Sequence, residues 1–126
     1  NPLSPNGPEN EVFALERIDI KKLENCINKI IKKYGLKANE IIVIVKNQKE
    51  LSELRLLSAK TTNLSSKLSF DFNDLNKVRV IDIQGVKGLE SKAALIWSDY
   101  KSFNETEKYI AMSRARSLLA FLELNS

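Results

Sequence analysis

The sequence predicts an α/β protein: a three-layer sandwich built on a mainly parallel sheet. Three observations point there. Ile41-Ile42-Val43-Ile44-Val45 is an unbroken β-branched run of the kind buried on both faces of a parallel sheet. A helical stripe precedes that run and a capped helical segment follows it. Strand and helix patterns then alternate toward the end of the chain. At 126 residues, 43% hydrophobic and 29% charged, the chain can bury one core.

The three prolines (Pro2, Pro5, Pro8) fall with Ser4 and Gly7 in the first ten residues, which reads as a linker or domain edge over 1–10 and places the domain over 11–126. Val12 to Leu15 is a short apolar run. Ile20, Leu23, Ile27, Ile30, Ile31 and Tyr34 recur every three or four residues, one face of a helix, with Asp19 as its N-cap and Gly35 just past its end. Cys26 borders that stripe and reads as a buried, inert thiol. After the β-branched run, Asn47 and Glu50 have the spacing of a capping box, opening a helix with Leu51, Leu54 and Leu57 on its inner side. Thr61 and Thr62 fit a short strand, and Leu68, Phe70 and Phe72 alternate as an edge strand does. Val78, Val80, Ile81 and Ile83 form the next strand, and Ala93 to Trp97 another apolar run. Asn104 and Glu107 open a last helix through about Arg116, and Leu118 to Leu124 closes the chain as a strand.

Composition excludes several chemistries. With no histidine and one cysteine, the common zinc sites and the Ser-His-Asp and Cys-His mechanisms are out, and no metal site is expected. The formal charge of +4 and pI near 9.2 permit a phosphate-rich partner without requiring one. No apolar run reaches the ~20 residues that span a bilayer, and no signal-peptide pattern is present, so the expectation is a cytoplasmic protein without a membrane partner.

Chemistry in open parallel sheets gathers beyond the carboxyl ends of the strands. The turn Gly85-Val86-Lys87-Gly88-Leu89-Glu90 offers glycines that let backbone N–H groups approach a ligand, a lysine for phosphate and a carboxylate for a sugar hydroxyl. Taken alone, such a turn is a weak signal, since Gly-x-x-Gly turns mostly serve as ordinary strand-to-helix connections. Tyr109 to Arg116 is mostly small or apolar and should pack on the sheet, which makes Arg114 and Arg116 conspicuous, although basic residues are routine near helix C-termini.

Together, and in this order, the two segments resemble a known family. Ile83 to Glu90 (IQGVKGLE) is similar to motif V of superfamily 1 DNA helicases of the UvrD/Rep type, commonly TIHSAKGLE, and Tyr109 to Arg116 (YIAMSRAR) to their motif VI, commonly YVALTRAR. Ile41 to Asn47 (IIVIVKN) resembles the motif IV strand, often IAVLVRN. The resemblance implies a RecA-like fold, the second of two motor domains of a P-loop NTPase and itself without the P-loop. In that family ATP sits between the two domains. The resemblance makes Arg114 the catalytic arginine finger; Glu90, Gly88 and Lys87 the cofactor-binding set, with Glu90 on the ribose; and Gln84 and Lys46 contacts to single-stranded DNA.

No G-x-x-x-x-G-K-[S/T] occurs, nor a Walker B acidic pair, so ATP and Mg²⁺ would be bound mainly by an N-terminal RecA-like domain of the same polypeptide. The sequence departs from the family at Asp82 and Gln84, where motif V has threonine and histidine, and at Lys46, where motif IV has arginine. These departures keep open a degenerate or stand-alone domain that binds nucleic acid or a protein partner without catalysis. A basic module of unrelated fold, using Lys21, Lys22, Lys29, Lys32 and Lys33, is a further alternative, although such lysines usually form a solvated helix face.

Overall fold

The β-branched run is strand β2 (Ile41–Val45), and all five of its residues are at most 1% exposed. A strand with no wet face must have neighbours on both sides and a layer above and below. The protein is described here by a computed structural model covering residues 8–71 and 74–124. β2 pairs with β4 (Val78–Asp82) on one side and β5 (Ser91–Ile96) on the other. β6 (Ala115–Leu124) and β1 (Glu9–Leu15) extend the sheet beyond β5, and β3 (Leu68–Ser69) ends it beyond β4. The order is β1-β6-β5-β2-β4-β3, and every pairing is parallel.

Alternation along β2 sends Ile41, Val43 and Val45 into one core and Ile42 and Ile44 into the other. The first face is covered by α1 (Ile20–Tyr34), α2 (Gln48–Ala59) and α3 (Thr62–Lys67), which contribute Leu23, Ile27, Ile30, Leu54 and Leu64. The second is covered by α4 (Glu105–Arg114) and by the chain between β4 and β5, through Ala111, Ile83 and Val86. The architecture is the parallel α/β sandwich expected from the sequence.

The caps fall where the sequence puts them. Asp19 accepts the Lys21 N–H at 3.0 Å, and Gly35 takes the left-handed conformation (φ 65°) that ends α1. Asn104 and Glu107 exchange both bonds of a capping box. At α2 the box is displaced: Asn47 Oδ1 accepts the Glu50 N–H, whereas the Glu50 carboxylate reaches back to the N–H of Lys46 at 2.9 Å.

Four expectations are corrected. Thr62 begins α3 rather than lying in a strand, because Leu64, fully buried, anchors a second short helix against the core. Leu57 is 48% exposed; the inner line of α2 is Leu51, Leu54 and Ser58, which leaves Leu57 off it. The expected edge strand is only Leu68–Ser69, with Phe70 packed beneath Arg55 and Phe72 outside the described residues. The linker boundary at residue 10 falls inside β1, since Glu9 and Asn10 already pair with Leu118 and Leu119; residues 1–7 lie outside the described set. Among the described residues no helix is long and apolar enough to cross a membrane.

Cys26 is buried, and desolvation pushes its thiol up to about 11, so it is chemically quiet in the fold. The edge strand β1 is tied to α1 through Glu11, whose carboxylate accepts from Lys33 Nζ at 2.7 Å and Tyr34 Oη at 2.8 Å. The Lys33 contact, then the Tyr34 hydroxyl, holds Glu11 below its ordinary value of 4.5. A lowered carboxylate stabilises the fold above its unfolded pKa and ceases to do so as pH falls through the folded one. Glu11→Gln should therefore lower the melting temperature at neutral pH, with the difference from the parent shrinking below about pH 4.5. A constant difference across pH melts would show that the ion pair does not hold β1.

Candidate functional site

The segment between Asp82 and Ser91 decides where the candidate residues lie. β4 and β5 are parallel with β2 between them, so this segment must return from the carboxyl edge of the sheet to its amino edge. Val86, fully buried, pins it to the sheet face beside Ile42, Ile44 and Ile81. Gly85 must be glycine for space: a Cβ there would stand 2.7 Å from Ile81 Cδ1 and 2.9 Å from Asp82 Oδ1. Gly88 takes φ 87°, a conformation suited to glycine, and lets the chain turn toward β5.

This crossing splits the expected site. Lys46 follows Val45, and Gln84 lies two residues past Asp82; Val45 and Asp82 are register partners, so both candidates stand beyond the carboxyl ends of β2 and β4. Glu90 and Arg114 immediately precede Ser91 and Ala115, the paired first residues of β5 and β6. They sit at the amino edge. The expectation that all the chemistry gathers beyond the carboxyl ends is corrected: the crossing carries half of it to the other side of the sheet, roughly 15 Å away for a five-residue strand.

At the amino edge, the Arg114 Nη1 donates to the Leu89 carbonyl at 3.4 Å and its Nε to Ser113 Oγ at 3.2 Å. The glycine turn and the arginine helix, remote in sequence, therefore meet. Arg114 ends α4 half-buried, at the negative end of the helix dipole. The helix stops there because Ala115 turns to extended geometry and pairs with Ser91. Arg116, expected on the helix, is instead an exposed residue of β6. The segment is also less packed than expected: Ala111 and Ala115 are buried, but Tyr109 is 66% and Met112 38% exposed. Glu90, Lys87 and Gly88 are exposed along the crossing. Lys92 pairs with Glu40 at 2.8 Å on the same edge, and that contact, with the Lys37 N–H, holds the Glu40 carboxyl below its usual range. Ser91 Oγ donates to the Glu40 carbonyl, locking β5 to the entry of β2.

At the carboxyl edge, Lys46 Nζ donates to the Ser102 carbonyl at 2.7 Å and lies over the Phe103 ring. Gln84 is exposed. Asp82 is 4% exposed and points inward: Oδ1 accepts the Gly85 N–H at 3.0 Å and Oδ2 accepts Gln48 Nε2 at 2.9 Å. Sequence reasoning missed this role and missed Gln48 altogether. The available signal was an aspartate three residues before a glycine, the spacing at which a carboxylate satisfies a turn amide. Among the described residues, no three of His, Cys, Asp and Glu are grouped so as to hold a metal ion.

No family model matches the sequence, and no curated protein is significantly similar to it. Among solved structures, the chain is similar to the C-terminal domain of a possible DNA helicase from Lactobacillus plantarum WCFS1, at 18% identity and a TM-score of 0.65, over 94% of this chain and 74% of that one. At this identity the likeness shows the fold: six parallel strands flanked by helices, consistent with a RecA-like sandwich.

Gly85→Ala should destabilise the domain by about 1–3 kcal/mol, the usual cost of overpacking, because Ile81 and Asp82 would both have to move. Chemical denaturation of the variant measures it; parental stability would mean the crossing is loose.

Proposed function

We propose that this chain is the second, C-terminal RecA-like motor domain of an ATP-dependent superfamily 1 DNA helicase of the UvrD/Rep type, completing a nucleotide site whose other half lies on an N-terminal domain. The observation that carries the reading is the Arg114–Leu89 contact, which brings the arginine of one motif-like segment to the end of the other, one residue from Glu90.

The amino edge suits half of an ATP site. Arg114 has five guanidinium N–H donors and spends two in long bonds, leaving a fork for phosphate oxygens. The exposed Glu90 carboxylate can accept a ribose hydroxyl. Lys87 and Gly88 shape the approach between them, the lysine adding positive charge. Among the described residues no three carboxylates are grouped at this edge for Mg²⁺, and in this reading metal and triphosphate would be held by the N-terminal domain. ATP bound there would present its γ-phosphate to Arg114, whose charge stabilises the phosphoryl-transfer transition state. Tyr109 and Met112, three residues apart and both exposed, form an apolar patch on α4. Lys46 and Gln84 would contribute to a single-stranded DNA track on the opposite edge.

A second reading is favoured by that opposite edge: a degenerate domain that binds nucleic acid or a protein partner without catalysis. Asp82 and Lys46 are both engaged internally rather than held out for a ligand.

In the polypeptide carrying both motor domains, Arg114→Ala should lower DNA-stimulated ATPase roughly 10³- to 10⁵-fold with melting unchanged, and Arg114→Lys should restore little. Arg116→Ala, on an exposed strand position, should cost far less. Near-normal turnover by Arg114→Ala would exclude the arginine-finger role and leave the non-catalytic reading. The 126-residue chain alone should not hydrolyse ATP, because it lacks a phosphate-binding loop. Turnover above blank that survives repurification and disappears in a mutant control would overturn the two-domain site.

A further inference from the structure

The exposed Leu57, off the inner line of α2, borders a cavity that the proposed function does not use. Beyond the carboxyl ends of the neighbouring strands β2 and β5 the outgoing chains part. β2 leads to α2 on the first face of the sheet, and β5 leads to α4 on the second. In open parallel sheets such a parting is where a crevice for a ligand forms. Here the crevice holds a cavity of about 250 Å³. Its floor is Val45, the last residue of β2, and Trp97, directly after β5, both buried. Leu54 and Leu57 of α2 form one side, and Ile18, in the turn before α1, another. Ile18 and Leu57 are among the large apolar residues left exposed, and both lie at this place.

Two ionisable side chains join this apolar lining, and both are carboxylates: Glu50 and Glu53, three residues apart on α2. Glu50 Oε1 accepts the Lys46 N–H at 2.9 Å and the Ser98 hydroxyl at 2.7 Å, which fixes the group while a carboxylate keeps further acceptor capacity. Glu53 is exposed and enters none of the ion pairs among the described residues. No basic residue lines the cavity among the described residues. Apolar surfaces select an apolar body, and two negative groups on one side attract a positive head and repel an anion. The volume lies below the roughly 300–1,000 Å³ of pockets that take drug-sized ligands, which leaves room for one ring with a short arm and not for a nucleotide. We propose that this cavity binds a small amphiphilic amine, its aromatic or branched apolar body seated on Val45 and Trp97 and its ammonium against Glu53 and Glu50. The site is independent of the ATP-site reading, which concerns the opposite edge of the sheet.

The 126-residue chain provides the test, with phenethylamine as the probe. Trp97 is the single tryptophan, so its fluorescence reports on the cavity floor, and calorimetry registers binding that leaves the ring unperturbed. Two controls carry the same ring: 2-phenylethanol without charge, and 3-phenylpropionate with the opposite charge. Two unit charges about 4 Å apart in a water-like medium are worth about fivefold in affinity. Phenethylamine should therefore bind saturably and at least about fivefold tighter than phenylethanol, with phenylpropionate the weakest. Added salt should erode the advantage of the amine and leave the alcohol unchanged. Glu53→Gln, at an exposed position, should lower amine affinity about fivefold without altering that of the alcohol. Leu57→Ala, also exposed, should weaken both ligands alike. Absence of saturable amine binding in both measurements overturns the proposal. So does equal affinity for amine and alcohol, unaltered amine affinity in Glu53→Gln, or a Leu57→Ala variant that loses nothing. None of these outcomes touches the ATPase of the two-domain polypeptide, so failure here leaves the Arg114 reading standing.

Discussion

The structure depends on one short crossing. Parallel neighbours in a sheet are ordinarily joined by a dozen or more residues, usually a helix, because the chain must travel back the length of a strand. Between β4 and β5 only residues 83–90 are available, and they must also step over β2. A helix rising 1.5 Å per residue cannot cover that distance in eight residues, whereas a more extended chain can. The crossing is therefore a series of turns laid flat on the sheet, held by Val86 in the core and relieved by glycine at Gly85 and Gly88. Its shortness leaves part of the second face open, and α4 fills the rest.

That path also sets the electrostatics. One end of the crossing is fastened by a carboxylate, Asp82, to the turn amide and to Gln48; the other end meets a guanidinium, Arg114, through the Leu89 carbonyl. Between these two ends the segment packs into the second core at Val86.

Much of this was legible in the sequence because the dominant signals were local. The Ile41–Val45 run could not be other than a doubly buried strand, and Asp19, Asn47 and Asn104 sit at their caps because a short polar side chain before an apolar period has one use. The Arg114–Leu89 contact joins two segments that motif order had singled out. What escaped was set by tertiary contact. Thr62 could favour a strand by propensity, yet Leu64 beyond it needed the core. The end of α4 was set by strand pairing at Ala115, with no glycine to announce it. The edge on which each candidate falls depended on counting residues across the crossing, and the inward turn of Asp82 depended on Gln48, a partner thirty-four positions away.

The formal net charge of +4 is spread thinly over this surface. Lys33, Lys67 and Lys92 are each committed to a carboxylate, and Lys46 to a carbonyl oxygen. On α1, Lys29 lies over Phe13, leaving Lys21, Lys22 and Lys32 among its exposed lysines with no ion pair among the described residues. Counterion release scales with the number of phosphates neutralised, not with formal charge, so dispersed lysines give shallow, salt-labile association. A lysine-driven binding module is therefore the weakest of the readings. What concentrates charge here is geometry: a half-buried guanidinium at the end of a helix, set against the backbone of a glycine turn. Such a group is a single, partly shielded point of charge, unlike the dispersed lysines.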